Sequence, residues 1–335
     1  MRSSLLACAL SLVLSPHLAL AADVPSYGME LEGFDYPFPV KHHAFTSQGE
    51  ALRMAYLDVA PITPNGRTVV LLHGKNFCAA TWESAIRALT GAGYRVIAPD
   101  QIGFCKSSKP EHYQYSFQQL ASNTNALLES LGIERATIIG HSMGGMLATR
   151  YALMYPQRTE ALMLVNPIGL EDLKALGVPW ASVDTNLAGE LKTNFDSIKR
   201  YQQQVYYSGR WKPEYDRWVS MLAGLYAGPG KQRVAWNQAL TTDMVFTQPV
   251  VHEFPQIRVP TTLFIGQRDR TAIGRDRASP ELRERLGDYP ALGKRATKAI
   301  PGATLVEFDD LGHSPQVEAP ARFEKALLEA LARTR

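Results

Sequence analysis

Hydrophobic residues in this chain fall into two kinds of pattern that take turns. Thr68-Val69-Val70-Leu71-Leu72, Tyr94-Arg95-Val96-Ile97-Ala98, Ala136-Thr137-Ile138-Ile139-Gly140 and Ala161-Leu162-Met163-Leu164-Val165 are short and almost continuously apolar. Runs of this length, rich in branched side chains and closed by His73-Gly74 or Pro99-Asp100, predict strands buried on both faces. Between them lie longer amphipathic stretches that predict helices: Trp82 to Thr90 before Gly91, Phe117 to Leu131 before Gly132, and Met143 to Tyr155 before Pro156. Ala51 to Leu57 alternates as an early strand, after an extended lead-in from Tyr27 to Pro39 that is rich in Gly, Pro and aromatics. Strand and helix in strict rotation predict an α/β fold, with a mostly parallel central sheet and helices on both faces.

The rotation stops after Pro167. Up to about Pro255 the strand pattern is gone and aromatics crowd in, among them Trp180, Tyr201, Tyr206, Tyr207, Trp211 and Tyr215. This stretch reads as helical, broken at Gly177, Pro213 and Gly228-Pro229-Gly230. Then the first pattern returns in Thr261 to Ile265 and Thr304 to Phe308, with a last helix over Pro320 to Arg333. The expected organisation is an export signal over 1–21, a core over 22–167, a helical cap over 168–255, and the remainder of the core over 256–335.

The signal rests on Arg2, the apolar run Leu5 to Leu14, and the small-residue cleavage pattern Ala19-Leu20-Ala21. Pro16 and His17 interrupt that run, which is shorter than the ~20 residues a spanning helix needs. A periplasmic or secreted protein without stable membrane insertion is therefore expected. Composition agrees with a globular domain: 45% of residues are hydrophobic and 20% charged. A formal net charge of +3 is too weak a bias to point to nucleic acid as a partner. With Cys8 removed in the signal, Cys78 and Cys105 remain, each in a loop after a strand. An even pair in an oxidising compartment invites a disulfide, with two separate thiols as the other outcome. No H-E-x-x-H, thiolate zinc set or correctly spaced G-x-G-x-x-G occurs, so no metal or cofactor is expected.

Gly140-His141-Ser142-Met143-Gly144 fits G-x-S-x-G, with a branched strand leading in and a helix leading out. That setting holds a serine hydroxyl on a sharp turn above the sheet, where it can act as a nucleophile. A serine needs a base, and the base needs an orienting acid. Asp269 follows a strand in Gly266-Gln267-Arg268-Asp269, and His313 follows the last strand in Leu311-Gly312-His313. Both sit where open α/β sheets place their sites, at the carboxyl ends of parallel strands.

These motifs resemble the α/β-hydrolase superfamily over nearly all of the chain outside the cap. Leu72-His73-Gly74 resembles its oxyanion-loop segment. Pro99-Asp100-Gln101-Ile102-Gly103-Phe104-Cys105-Lys106-Ser107-Ser108 resembles its P-D-x-x-G-x-G-x-S segment, with Cys105 where glycine is usual. The resemblance implies catalytic Ser142, Asp269 and His313. It also implies an oxyanion hole built from the N–H of Met143 and a second donor, Lys75 or the neighbouring Asn76. His73 and His141 are implied to be structural hydrogen-bonders. Some members take their acid from the strand before the cap, where this chain has Asn166, so Glu171 and Asp172 are outside alternatives to Asp269. Serine at the elbow argues against haloalkane dehalogenases and epoxide hydrolases, which carry aspartate there.

Cleavage of a carboxylic ester or lactone with an apolar portion is the expected reaction. The alternatives are a proline-iminopeptidase-like aminopeptidase, needing a cap acid such as Glu171, Asp172, Asp184, Glu190 or Asp196 for the substrate ammonium, and a non-catalytic ligand-binding homologue.

Overall fold

The computed structural model describes residues 24–334. The expected signal over 1–21 lies outside the described residues. Eight strands form one sheet: β1 Val40–Ser47, β2 Glu50–Val59, β3 Thr68–Leu72, β4 Arg95–Pro99, β5 Ala136–His141, β6 Thr159–Val165, β7 Thr261–Gly266 and β8 Thr304–Phe308. Their order is β1-β2-β4-β3-β5-β6-β7-β8. The first two strands pair antiparallel, and β2 runs antiparallel to β4. Every pairing from β4 through β8 is parallel.

Helices α1 Glu83–Gly91, α2 Phe117–Ser130, α3 Met143–Met154, α4 Val183–Glu190, α5 Phe195–Tyr201, α6 Asp216–Ala227, α7 Lys231–Thr247, α8 Pro280–Arg285, α9 Tyr289–Ala299, α10 Pro315–Glu318 and α11 Pro320–Arg333 complete the described chain. Successive side chains of a strand point to opposite faces, which is why continuously apolar strands need cover on both. Val69 and Leu71 of β3 pack with Ile86 and Leu89 of α1 and with Phe323 and Leu327 of α11. Val70 and Leu72 face the other way, into a cluster with Leu120 and Leu127 of α2 and Leu147 of α3. Each such side chain, once buried, contributes about 1.5–3 kcal/mol, so the two apolar clusters, one on each face of the sheet, dominate stability.

The chain between β6 and β7 carries α4 to α7 and contributes no strand to the sheet. Its aromatics are largely structural. Tyr207, Tyr215 and Trp218 are buried, and the rings of Tyr207 and Tyr215 stack with centroids 4.1 Å apart. Trp180 and Tyr201 are exposed, Trp180 to 61%, with its indole N–H donated to Asp243.

Two loops at the carboxyl edge are tied together. Cys78 and Cys105 are joined in a disulfide, their Cα atoms 5.9 Å apart. Asp100, at the end of β4, is fully buried and accepts from the Ala79 N–H at 2.8 Å, the Tyr36 hydroxyl at 2.7 Å and the Lys106 N–H at 3.1 Å. That carboxylate pins the loop after β3 to the loop after β4. Cys105 stands with φ +47°, in the left-handed region glycine favours, which accounts for the glycine expected at its position.

Candidate active site

Ser142 is the last residue before α3, with φ +55° and ψ −121°. A non-glycine residue there is strained by about 1–3 kcal/mol, and such strain persists only where the surroundings over-determine it. The flanking glycines show what the surroundings are. A Cβ on Gly140 would lie 2.0 Å from the Gly144 carbonyl oxygen, and one on Gly144 would lie 2.2 Å from that of Leu72. The G-x-S-x-G pattern is therefore the imprint of a helix pressed against β5 and β3. The turn is further braced by Ser142's carbonyl, which accepts from the N–H groups of Gly145 at 2.9 Å and Ile168 at 3.1 Å.

Asp269 and His313 meet because the loops after β7 and β8 are zipped together. The Gln267 N–H donates to Phe308 at 2.9 Å and the Arg268 N–H to Leu311 at 2.9 Å. His313 Nδ1 then lies 2.6 Å from Asp269 Oδ2, with both side chains fully buried. Asp269 is held from two other directions: Asn166 Nδ2 donates to Oδ2 at 2.8 Å, and the Thr271 N–H to Oδ1 at 2.8 Å. A carboxylate on Nδ1 fixes the tautomer in which Nε2 carries the free lone pair. Nε2 is buried and, among the described residues, hydrogen-bonds to nothing, Ser142 included. Resting sites often leave this contact to tighten when substrate arrives.

The residue before the serine ties the elbow to the histidine loop. His141 Nε2 donates to the His313 carbonyl at 2.8 Å, and the two rings stand 4.9 Å apart. Burial, with His313 beside it, holds the His141 imidazole well below the ordinary histidine range, so it stays neutral. His73 is likewise buried and bonded, Nδ1 donating to the Gly74 carbonyl at 2.8 Å and Nε2 accepting from the Gln101 N–H at 3.0 Å. Both are scaffold histidines.

The Met143 N–H opens α3 and, as the first helical N–H, has no acceptor inside its own helix. Gly74 to Phe77 is a turn closed by the Phe77 N–H on the Gly74 carbonyl at 3.1 Å, which leaves the N–H groups of Lys75 and Asn76 outside the turn's own bond. This turn abuts the serine, since a Cβ on Gly74 would stand 2.9 Å from Ser142 Cβ. Side chains of the same two residues reach the cap. Lys75 Nζ pairs with Glu190 of α4 at 2.8 Å and Gln238 of α7 at 3.0 Å, and Asn76 Nδ2 donates to the Tyr206 hydroxyl at 2.8 Å. Lys75 is thus a neutralised cation rather than an open anion receptor. A cavity of about 520 Å³ extends from Lys75 and Asn76 between α4, α5 and α6.

Several groups play parts that sequence reasoning left unassigned. Tyr206 backs His313: its backbone carbonyl accepts the His313 backbone N–H at 2.8 Å, and the rings lie 4.6 Å apart. Glu318 of α10 accepts from the Gly312 N–H at 2.8 Å and the Ser314 N–H at 3.4 Å, so one carboxylate brackets the histidine. Burial pushes the Glu318 carboxyl up to about 7. Glu171 and Asp172 are engaged elsewhere, Glu171 by the Gly287 N–H at 2.9 Å and Asp172 by His252 at 2.9 Å. Among the described residues one cluster has metal-ligand proximity, Cys78, Asp100 and Cys105, and its two sulfurs are joined to each other.

A sequence model of the family described as alpha/beta hydrolase fold matches residues 67–320. A probable hydrolytic enzyme from Pseudomonas aeruginosa PAO1 is 65% identical and superposes with a TM-score of 0.91, over 92% of this chain and 99% of that one. A haloalkane dehalogenase from Mycolicibacterium paratuberculosis is 36% identical over 134 residues, 39% of this chain and 44% of its own. The bifunctional epoxide hydrolase 2 of Sus scrofa is 26% identical over 322 residues, 86% of this chain and 55% of its own. The chain spans about half the length of these last two relatives.

Proposed function

The chain belongs to the α/β-hydrolase family, and on that footing we propose that it is a serine hydrolase that cleaves carboxylic esters or lactones through an acyl-enzyme on Ser142. The observation that carries this reading is the buried Asp269–His313 pair, whose unpartnered Nε2 belongs to a loop bonded to the strained serine turn. His313 takes the Ser142 proton as the hydroxyl attacks the carbonyl carbon, and passes it to the departing alkoxide. Asp269 steadies the imidazolium. A water deprotonated by the same Nε2 then releases the acid and restores the serine. The tetrahedral oxygen is held by the N–H of Met143 and by that of Lys75 or Asn76, each donor worth roughly 10²–10³ in rate.

Serine at position 142 supports acyl transfer over the alkyl-enzyme chemistry of the dehalogenase and epoxide hydrolase relatives. The Lys75–Glu190 pair weighs against aminopeptidase action, since the cap acid nearest the oxyanion turn already has a cation. We place the enzyme outside the cytoplasm, acting on a small substrate with an apolar portion, without nucleic acid or cofactor.

Turnover of p-nitrophenyl esters beside proline-β-naphthylamide tests the reading. Wild type should cleave the esters and spare the amide. Ser142→Ala should lose about six orders of magnitude in kcat, as in the subtilisin series. Equal ester turnover by the two proteins would remove Ser142 from the mechanism.

A further inference from the structure

The loop that follows Asp269 is crowded with arginines. Arg270, Arg275 and Arg283 line a second cavity, of about 420 Å³. Tyr201, Ile273 and Asp276 line both this cavity and the one that reaches Lys75 and Asn76, so the two adjoin. Backbone carbonyls hold the three guanidinium groups along the loop. Arg270 Nη1 donates to the Asp269 carbonyl at 2.6 Å, Arg275 Nη1 to that of Arg270 at 2.7 Å, and Arg283 Nη2 to that of Asp276 at 2.8 Å. Nε and Nη2 of Arg270 and Arg275, and Nη1 of Arg283, have no acceptor among the described residues. Arg270 and Arg283 are exposed and Arg275 half-buried, so the cavity wall they make is open to a ligand. Elsewhere arginines are matched by carboxylates: Arg67 by Glu160, Arg95 by Asp58, Arg322 by Asp310. Among the described residues none of these three has a carboxylate within ion-pair distance. Glu171 is within electrostatic reach of Arg275, but its carboxylate is bonded to the Gly287 N–H. Three guanidinium groups against one lining carboxylate, Asp276, leave the wall a surplus of two positive charges.

We propose that Arg270, Arg275 and Arg283 form a binding site for a dianionic phosphoryl group that anchors one end of the ester substrate. This rests on the ester-hydrolase reading and names the substrate class within it. A guanidinium presents a planar fork of N–H donors that matches phosphate oxygens. Forks already fixed by carbonyls lose little side-chain freedom when a ligand arrives. A phosphate monoester carries close to two negative charges above its second pKa of about 6, the same number as the surplus on the wall. A carboxylate brings one charge and two oxygens, and leaves a cation unmatched. Tyr201 and Ile273, shared by the two cavities, give an apolar spacer its contacts between the charged end and the serine.

The test uses p-nitrophenyl esters of ω-phosphoryloxyalkanoic acids with three to six methylenes, each beside the ω-hydroxy ester of the same length. A second series carries the phosphoryl or hydroxyl group on the alcohol, as ω-substituted alkyl acetates followed by acid release. The kcat/KM ratio of each pair is measured in wild type, Arg270→Gln and Arg283→Gln. Wild type should prefer the phosphoryl partner in at least one series. At the best length that preference should fall roughly 10- to 100-fold in each variant, the worth of a hydrogen bond to a charged group. A variant that slows both partners alike, leaving the ratio as it was, overturns the subsite. So does a wild-type ratio near one at every length in both series, and cleavage of the hydroxy esters then leaves the esterase reading standing. Failure of folded wild type to cleave any ester overturns both. Should neither variant fold, inorganic phosphate added to wild type decides. It should compete with the phosphoryl ester and leave p-nitrophenyl acetate turnover unchanged. Inhibition of both alike, or of neither, rejects the subsite, and an effect on acetate turnover alone marks a free-phosphate effector site instead.

Discussion

Asn166 steadies Asp269 from the neighbouring strand end: its Nδ2 donates to the Oδ2 that also faces His313, and its Oδ1 accepts from the Gly266 N–H at 2.9 Å. Its φ of +37° is one that Asn and Gly tolerate better than other residues, so Asn166→Gly removes the side chain without adding strain. A hydrogen bond to a charged acceptor is worth about 1.5–3 kcal/mol. Asn166→Gly should therefore lower kcat about 10- to 100-fold with little change in KM, read from steady-state kinetics. Glu318 bears instead on pH. Its carboxyl goes from an ordinary 4.5 to about 7 on folding, chiefly through burial, so folding favours the protonated form. The stability this contributes is complete below about 4.5 and is lost as pH rises through about 7. Glu318→Gln keeps the acceptor for Gly312 and cannot ionise. Its urea-unfolding stability should exceed wild type by up to about 3 kcal/mol at pH 8, and the gap should close towards pH 4.5. Ser142 could be singled out by its G-x-S-x-G motif, and Asp269 and His313 because each lies in the loop after a late strand, in the order the resemblance implies. Asn166 also follows one, yet its role needs the parallel register that sets Val165 beside Phe264.

Among the elements, the strands that sequence reading placed best are those buried on both faces. Thr68–Leu72 is such a strand and falls as expected, as do the half-buried edge strand Thr304–Phe308 and the helix over Pro320–Arg333. Strand β1 was not anticipated. It is an edge strand whose residues are half-buried or exposed, with His42 and His43 in its middle, so no apolar run announces it. The π-helical turn Gln202–Tyr206 was equally silent, since no feature of the apolar pattern marks it. The disulfide binds two loops that follow different strands, 27 residues apart in sequence. Closing a loop of that length removes enough unfolded-chain entropy to stabilise the fold by about 3.5 kcal/mol. The double variant Cys78→Ala, Cys105→Ala should lose stability of that order in denaturant titration. Its ester turnover should fall as well, since Cys78 lies just beyond the turn holding Lys75 and Asn76.

For the molecule as a whole, helices cover both faces of one sheet. The helices between β6 and β7 are fastened to that sheet beside the serine. Lys75 reaches Glu190 and Gln238, Asn76 reaches Tyr206, and Tyr226 also donates to Glu190. On the proposed mechanism, moving α4 to admit a bulky substrate would break the Lys75–Glu190 pair and disturb the turn proposed to hold the tetrahedral oxygen. On that mechanism, large substrates that displace α4 should therefore be penalised in rate as well as in entry.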